Sequence, residues 1–172
     1  MSERTYNVLF LCTGNSARSI IAESLLNAMG KGRFRAYSAG SHPIGAINHY
    51  VGEYLASAGM TSAGARSKSW NEFALPDAPP MDLVITVCDD AAGEACPVWP
   101  GTPARAHWSA PDPAALMDQP AKARETVREV FHLMQRRILL LVSLPIATLD
   151  RVSLQTQTRR IAEETATTAQ RA

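Results

Sequence analysis

The sequence predicts an α/β protein: a single domain built on a doubly wound, parallel, four-stranded sheet with helices on both faces. Three observations carry that expectation. Four short apolar runs recur along the chain, and segments with helical periodicity separate them. The chain has 172 residues, of which 46% are hydrophobic and 19% charged, enough for one core and short for two. Strands that alternate with helices pair in parallel, because each crossover helix returns the chain to the same end of the sheet.

Taken in order, Tyr6–Leu11 is a buried strand by its length and apolar content. From Ser19 onward Ile20, Ile21, Leu25, Leu26 and Met29 recur at helical spacing, and Gly30 closes that helix. Arg33–Ser38 reads as the second strand, ended by "AGSHPIG". Asn48 caps a helix that runs through Ala58 and stops at Gly59. The proline-rich Leu75–Asp82 is a loop within the domain, because Asp82–Val87 after it is a third strand, ending at Cys88. Ala104–Trp108 is the fourth, and it ends just before Asp112. Gln119–Val142 is the longest amphipathic helix. The domain is expected to span residues 1–149. Residues 150–172 form a C-terminal helical extension that fades into Thr/Ala-rich sequence and is expected to be partly disordered.

Composition narrows the function classes. The formal net charge of +1 creates no global field for nucleic acid or an anionic membrane, so any anion site must be local. The opening "MSERTY" is polar and unlike a secretory signal. The longest apolar run, Ile138–Leu149, is too short for a span and contains a proline. A cytoplasmic location is the expectation, with neither nucleic acid nor membrane as partner. There are three cysteines, Cys12, Cys88 and Cys96, an odd count that argues for thiols reduced at rest rather than a structural disulfide framework.

In sheets of this kind ligands sit beyond the carboxyl ends of the strands, where Cys12, Cys88 and Asp112 all fall. The stretch "FLCTGNSARS" has the Cys-x5-Arg spacing in a turn from strand to helix. Such a turn can aim the backbone N–H groups of Thr13, Gly14, Asn15, Ser16, Ala17 and Arg18 into its own mouth, where the helix dipole adds positive charge. Gly14 lets the backbone curl and Asn15 tolerates a left-handed conformation. Arg18 adds a planar fork of donors matched to a tetrahedral oxyanion. Amides and dipole together favour a thiolate at Cys12. The result is a nucleophile under an oxyanion cradle; the bland alternative is a cysteine filling a strand end beside a solvated arginine.

"LCTGNSARS" resembles the phosphate-binding loop of the low-molecular-weight protein tyrosine phosphatase family. "VITVCDDAAGEACPVWPG" and "AHWSAPDP" resemble the arsenate reductase branch that shares that fold. The likeness runs from about Tyr6 to Leu149. It implies that Cys12 is the nucleophile, Arg18 clamps the oxyanion, Ser19 hydrogen-bonds the thiolate and Asn15 holds the loop's shape. Asp112 corresponds to the general acid, and Pro113 stiffens the loop that presents it. Asp-Pro is also a common turn opener, which is the plain alternative for that pair.

Phosphatase and reductase share thiolate attack on an oxyanion and differ in the step after it. A phosphatase needs only water. A reductase needs a second thiol to attack the Cys12–arsenic adduct. Cys88 ends a strand near the first one, and Cys96 comes after it across the polar "DDAAGEA". Folding back would bring the two sulfurs into bonding range, under about 7 Å between Cα atoms. The expectation is a Cys12–Cys88–Cys96 relay that reduces arsenate, with phosphate and sulfate as analogues, for arsenic detoxification. A zinc site of Cys88, Cys96 and His107 matches no common spacing and lacks a fourth ligand. Phosphotyrosine phosphatases of the family carry aromatic residues after the Asp-Pro; here Ala114 and Ala115 stand there, which favours a small inorganic oxyanion. Residual phosphatase activity is expected, and a phosphatase acting through a cysteinyl-phosphate is the alternative function. Many thioredoxin-linked relatives carry a cysteine where this chain has Ala17. No tightly bound cofactor is implied, and reducing equivalents come from thioredoxin or from glutathione and glutaredoxin. Some relatives bind potassium beside the loop. Asn15, Glu23 and Ser38 match three of those positions, while the fourth, a carboxylate, falls at Ser69.

Overall fold

Period-two alternation along the first strand sets the two layers of this protein, seen in a computed structural model that describes residues 4–60, 65–88, 99 and 101–171. Strand β1 (Tyr6–Cys12) sends Val8, Phe10 and Cys12 into a larger core cluster, and Leu9 and Leu11 into a smaller one on the opposite face. Beside it lie β2 (Phe34–Gly40) and β3 (Leu83–Thr86), and β4 (Ala104–His107) completes the order β2-β1-β3-β4. Every pair is parallel, as alternating strands and helices require. The register sets Cys12 opposite Gly40, Leu11 opposite Thr86 and Thr86 opposite His107. All four strands therefore deliver their carboxyl ends to one edge of the sheet.

The strands β3 and β4 are shorter than their apolar runs suggest, but the hydrogen bonding continues past them. Val87 N–H bonds Leu11 O at 2.8 Å, and Trp108 N–H bonds Thr86 O at 2.7 Å. Helix α1 (Arg18–Met29) stops at Gly30, whose N–H reaches Leu26 O at 2.8 Å. Helix α2 (His49–Ser57) starts at Asn48, whose side chain accepts the N–H groups of Tyr50 and Val51. Helix α3 (Pro120–Val142) buries a stripe at three- and four-residue spacing: Ala123, Val127, Val130, Met134, Ile138 and Leu141. These helices pack on the face of the larger cluster. On the other face a 3-10 helix, Trp70–Ala74, not foreseen from the sequence, buries Trp70 and Phe73, with Trp99 edge-on to Trp70.

Beyond Leu149 the chain continues as α4 (Arg151–Arg171). Its inner stripe is Leu154, Thr158, Ile161 and Thr165, all buried, and Leu154 and Ile161 belong to the same core cluster as Phe10 and Met134. Threonine is at home there because each hydroxyl donates to the preceding turn: Thr158 Oγ1 to Leu154 O at 2.7 Å, Thr165 Oγ1 to Ile161 O at 2.8 Å. The sequence reads this Thr/Ala-rich segment as fading into disorder; through Thr165 its inner stripe is packed. Among the described residues no helix is long and apolar enough to cross a membrane.

Candidate active site

Strand β1 ends at Cys12 and helix α1 begins at Arg18, so a short loop must turn the chain. Asn15 takes φ 46°, the left-handed conformation its short amide tolerates. Its carboxamide then ties three segments together. Oδ1 accepts the Lys68 N–H at 2.9 Å, and Nδ2 donates to Ser19 Oγ at 2.8 Å. The loop carbonyls are bonded outward: Thr13 O accepts from His42 N–H at 2.9 Å, Gly14 O from Ile44 N–H at 3.0 Å, and Ser16 O from Asn48 N–H at 2.9 Å. Ser67 Oγ also donates to Gly14 O, at 3.2 Å. In planar trans peptides a carbonyl turned out leaves the next N–H turned in. Gly40 permits this closeness. A Cβ there would lie 2.8 Å from Cys12 O and 3.0 Å from the Asn15 Cβ, and would overlap Thr13 O.

Inside the loop the Cys12 sulfur sits 3.0 Å from Ser19 Oγ and accepts the Asn15 N–H at 3.2 Å. Burial pushes the Cys12 thiol above its ordinary pKa, and the neighbouring Cys88 adds to that; the Ser19 hydroxyl and the Asn15 amide work the other way. Cys88 is also buried and unoxidised. Its sulfur accepts the Thr13 N–H at 3.2 Å, at the peptide directly after Cys12. Two thiols thus share the base of one loop. Cys96 lies outside the described residues.

Arg18 and Asp112 meet across the mouth. Arg18 donates to Ala110 O at 3.2 Å, and its second nitrogen stands 3.5 Å from Asp112 Oδ2. The other Asp112 oxygen accepts the Ala114 N–H at 3.0 Å and so caps the 3-10 helix Pro113–Leu116. Cys12, Thr13, Gly14, Ser16, Ala17 and Arg18 line a cleft of about 290 Å³, walled by His42, Ile44, Asp112 and Ala114. The volume suits a small anion and its leaving group. His107 pairs with the Thr86 hydroxyl at 2.7 Å.

The positions matched to potassium do come together, with different chemistry. Glu23 Oε1 accepts the Ser38 hydroxyl at 2.8 Å and faces Lys68 Nζ at 3.9 Å, both Glu23 and Lys68 side chains being buried. Asn15 Oδ1 is taken by the Lys68 N–H. Ser69 caps the 3-10 helix instead, accepting from Asn71 N–H. Lys68 supplies the positive charge and two of the three oxygens are engaged, so these residues do not fit a potassium ion. Burial raises the Glu23 pKa, opposed chiefly by Lys68, and burial lowers that of Lys68.

Residues 7–152 match the family model of the low molecular weight phosphotyrosine protein phosphatases. The chain belongs to this family. Among its phosphatase-family relatives, an arsenate reductase of Bacillus licheniformis is 36% identical over 79% of this chain and 88% of that protein. The crystal structure of arsenate reductase from Archaeoglobus fulgidus superposes with a TM-score of 0.58 at 30% identity, covering 76% of this chain and 98% of the other. A thioredoxin-dependent arsenate reductase of Corynebacterium glutamicum gives 0.51 at 28% identity, over 78% of this chain and 64% of that one. The sequence points to Cys12, Arg18 and Ser19 at the loop and to Cys88 and Asp112 beyond two other strands, and the fold brings these to one edge. It misses the collar of His42, Ile44, Ser67 and Lys68. "AGSHPIG" signals only a strand end, and main-chain partners leave little trace in residue type.

Proposed function

We infer that this protein reduces arsenate to arsenite through a cysteine–arsenic adduct. The observation that carries the reading is the second thiol: Cys88 Sγ lies on the amide of Thr13, directly after the nucleophile. Hydrolysis of a cysteinyl-phosphate would need no such neighbour.

The steps balance with this chain's own residues. Arsenate binds in the amide cradle as the hydrogen arsenate dianion, and Arg18 turns from Asp112 to the anion as a bidentate partner. The elevated Cys12 thiol gives its proton to the bound anion, leaving a thiolate and the dihydrogen arsenate monoanion. Sulfur attacks arsenic, and Asp112, which takes up a proton from solvent once Arg18 has left it, gives that proton to the departing hydroxyl, which goes as water. The product is a singly charged ester with Cys12 Sγ bonded to arsenic. The Cys88 thiol then attacks the Cys12 sulfur. Two electrons pass to arsenic, arsenite leaves as a monoanion that carries the Cys88 proton, and a Cys12–Cys88 disulfide remains. Attack by Cys96 on Cys88 frees Cys12 and leaves a Cys88–Cys96 disulfide, which an external dithiol reduces. Thioredoxin suits that outward disulfide; glutathione with glutaredoxin suits attack on the inner one. The cytoplasm is the compartment in which such donors keep thiols reduced.

The phosphatase reading draws on the same loop. A small aryl phosphate shares the tetrahedral, anionic shape, and slow hydrolysis of it is part of the proposal. Ala114, rather than an aromatic residue, walls the cleft and offers no sandwich for a phosphotyrosine ring. The test is NADPH consumption with arsenate, supplied in parallel with thioredoxin and its reductase or with glutathione, glutaredoxin and glutathione reductase. Arsenate-dependent turnover with one system supports the reading. Efficient hydrolysis of phosphotyrosine peptides with no arsenate reduction replaces it with the phosphatase.

A further inference from the structure

Helix α3 buries an arginine in its apolar stripe. Arg137 is 2% exposed, and among the described residues no carboxylate pairs with it. Burial, with Arg136 nearby, lowers its pKa to about 10, so it keeps its charge at neutral pH. A buried guanidinium with no carboxylate partner among the described residues is costly to hold. Its own hydrogen bonds are specific. Nε donates to Thr165 Oγ1 of α4 at 2.9 Å, and a terminal nitrogen donates to Ser109 O at 2.8 Å.

Ser109 opens the segment Ser109–Ala110–Pro111–Asp112 that leads from β4 to the acid. Two arginines take its first two carbonyls in succession: Arg137 on Ser109 O, Arg18 on Ala110 O. Arg18 also faces Asp112. These two anchors differ in permanence. An oxyanion in the cradle draws Arg18 to itself, and its hold on Ala110 O and Asp112 is given up when the acid is needed. Arg137 touches nothing in the cradle and stays. Behind it α4 is fastened to β4 and its exit at further points: Gln155 Oε1 accepts the Arg105 N–H at 3.0 Å, and Thr158 O accepts the Trp108 indole N–H at 3.1 Å.

We propose that Arg137, backed by Thr165 of the C-terminal helix, is a positioning residue for Asp112, fixing the acid's loop once Arg18 has moved to the oxyanion. This rests on the reading of Asp112 as general acid, and it gives α4 a part in proton transfer at a site it does not touch.

The test compares Arg137→Met, Arg137→Lys, Thr165→Val, Asp112→Asn and the Arg137→Met/Asp112→Asn double variant in the full chain, on arsenate reduction and on phenyl phosphate hydrolysis. Arg137→Met is expected to lower kcat about 10-fold or more, as loss of a positioned acid does, with KM within about twofold. Its pH profile loses the decline toward high pH that marks a required acid, as in Asp112→Asn. Arg137→Lys, which still offers a donor to Ser109 O, recovers part of the rate. The double variant is no slower than Asp112→Asn alone, within about twofold. If Arg137→Met does not fold, Thr165→Val carries the same comparisons, since beyond the Nε acceptor it removes only the hydroxyl's bonds to carbonyls of its own helix. A wild-type rate in the Arg137 variants, or an Arg137→Met loss that persists undiminished when Asp112 is already Asn, overturns the proposal. Asp112→Asn with wild-type kcat and pH profile instead overturns the acid reading, and the positioning role falls with it.

Discussion

Cys12 meets two opposed demands in a space of a few ångströms. Burial and the nearby Cys88 hold its proton on, while the Ser19 hydroxyl and the Asn15 amide favour the thiolate. The thiolate is the reactive form, so a raised pKa means that reactivity climbs as pH rises above the ordinary thiol range. Alkylation of Cys12 by iodoacetamide in the ligand-free protein, read by peptide mass spectrometry, should therefore keep increasing into the alkaline range. A rate already level at neutral pH would mean that the cradle overrides burial. Cys12→Ser should release no arsenite, because a hydroxyl is almost fully protonated and a poor nucleophile. Comparable arsenite release would remove Cys12 from its role. Asp112→Asn should slow hydrolysis of phenyl phosphate by about 10²–10⁴-fold, and hydrolysis of 4-nitrophenyl phosphate by much less, since that leaving group needs less proton assistance. An equal defect on both would mean that Asp112 is not the acid. Residues of this kind are legible because their chemistry is local: Cys and Arg six positions apart around Gly-Asn. Arg137 is not, since "QRR" on an amphipathic helix reads as a solvated face and its partners come from distant segments.

At the scale of elements, the loop is held from behind by β2 and from the side by residues 42–48 and 67–68. Gly40→Ala would press a methyl group onto the Cys12 and Thr13 carbonyls, which are main-chain atoms and cannot swing aside. The expected cost is about 1–3 kcal/mol of stability by denaturant unfolding, with arsenate turnover reduced at least about 10-fold by displacement of the cradle. Wild-type turnover would show that the loop tolerates the shift. The buried Lys68–Glu23 contact beside Asn15 makes a second element-scale prediction. Exchange of potassium for sodium at equal ionic strength should change kcat/KM by less than about twofold, because the charge there is covalently supplied. A strong potassium requirement would mean that Lys68 leaves the cluster in solution. Helices with a clean apolar stripe are legible in outline, and Asn48 and Gly30 mark their ends. The packing of α4 is obscured by Thr158 and Thr165, which look polar until their hydroxyls are seen bonded to their own helix.

For the molecule as a whole, alternation of strands and helices is enough to imply a parallel sheet and to gather Cys12, Cys88 and Asp112 at one edge. The order β2-β1-β3-β4 is not written in any local pattern, yet it matters: β3 pairs directly with β1, which is why Cys88 arrives at the Thr13 amide. The function proposed for this architecture is electron transfer between thiols and an oxyanion, rather than hydrolysis alone. It is tested most directly by a single turnover of the fully reduced protein with one equivalent of arsenate and no external thiol, read by arsenite release and by mass spectrometry of the digested, alkylated product. The expected result is about one arsenite per protein molecule with a disulfide that includes Cys88, and neither from Cys88→Ser, which should still hydrolyse phenyl phosphate. Arsenite release by Cys88→Ser at the wild-type rate, or none by the wild-type protein, would contradict it.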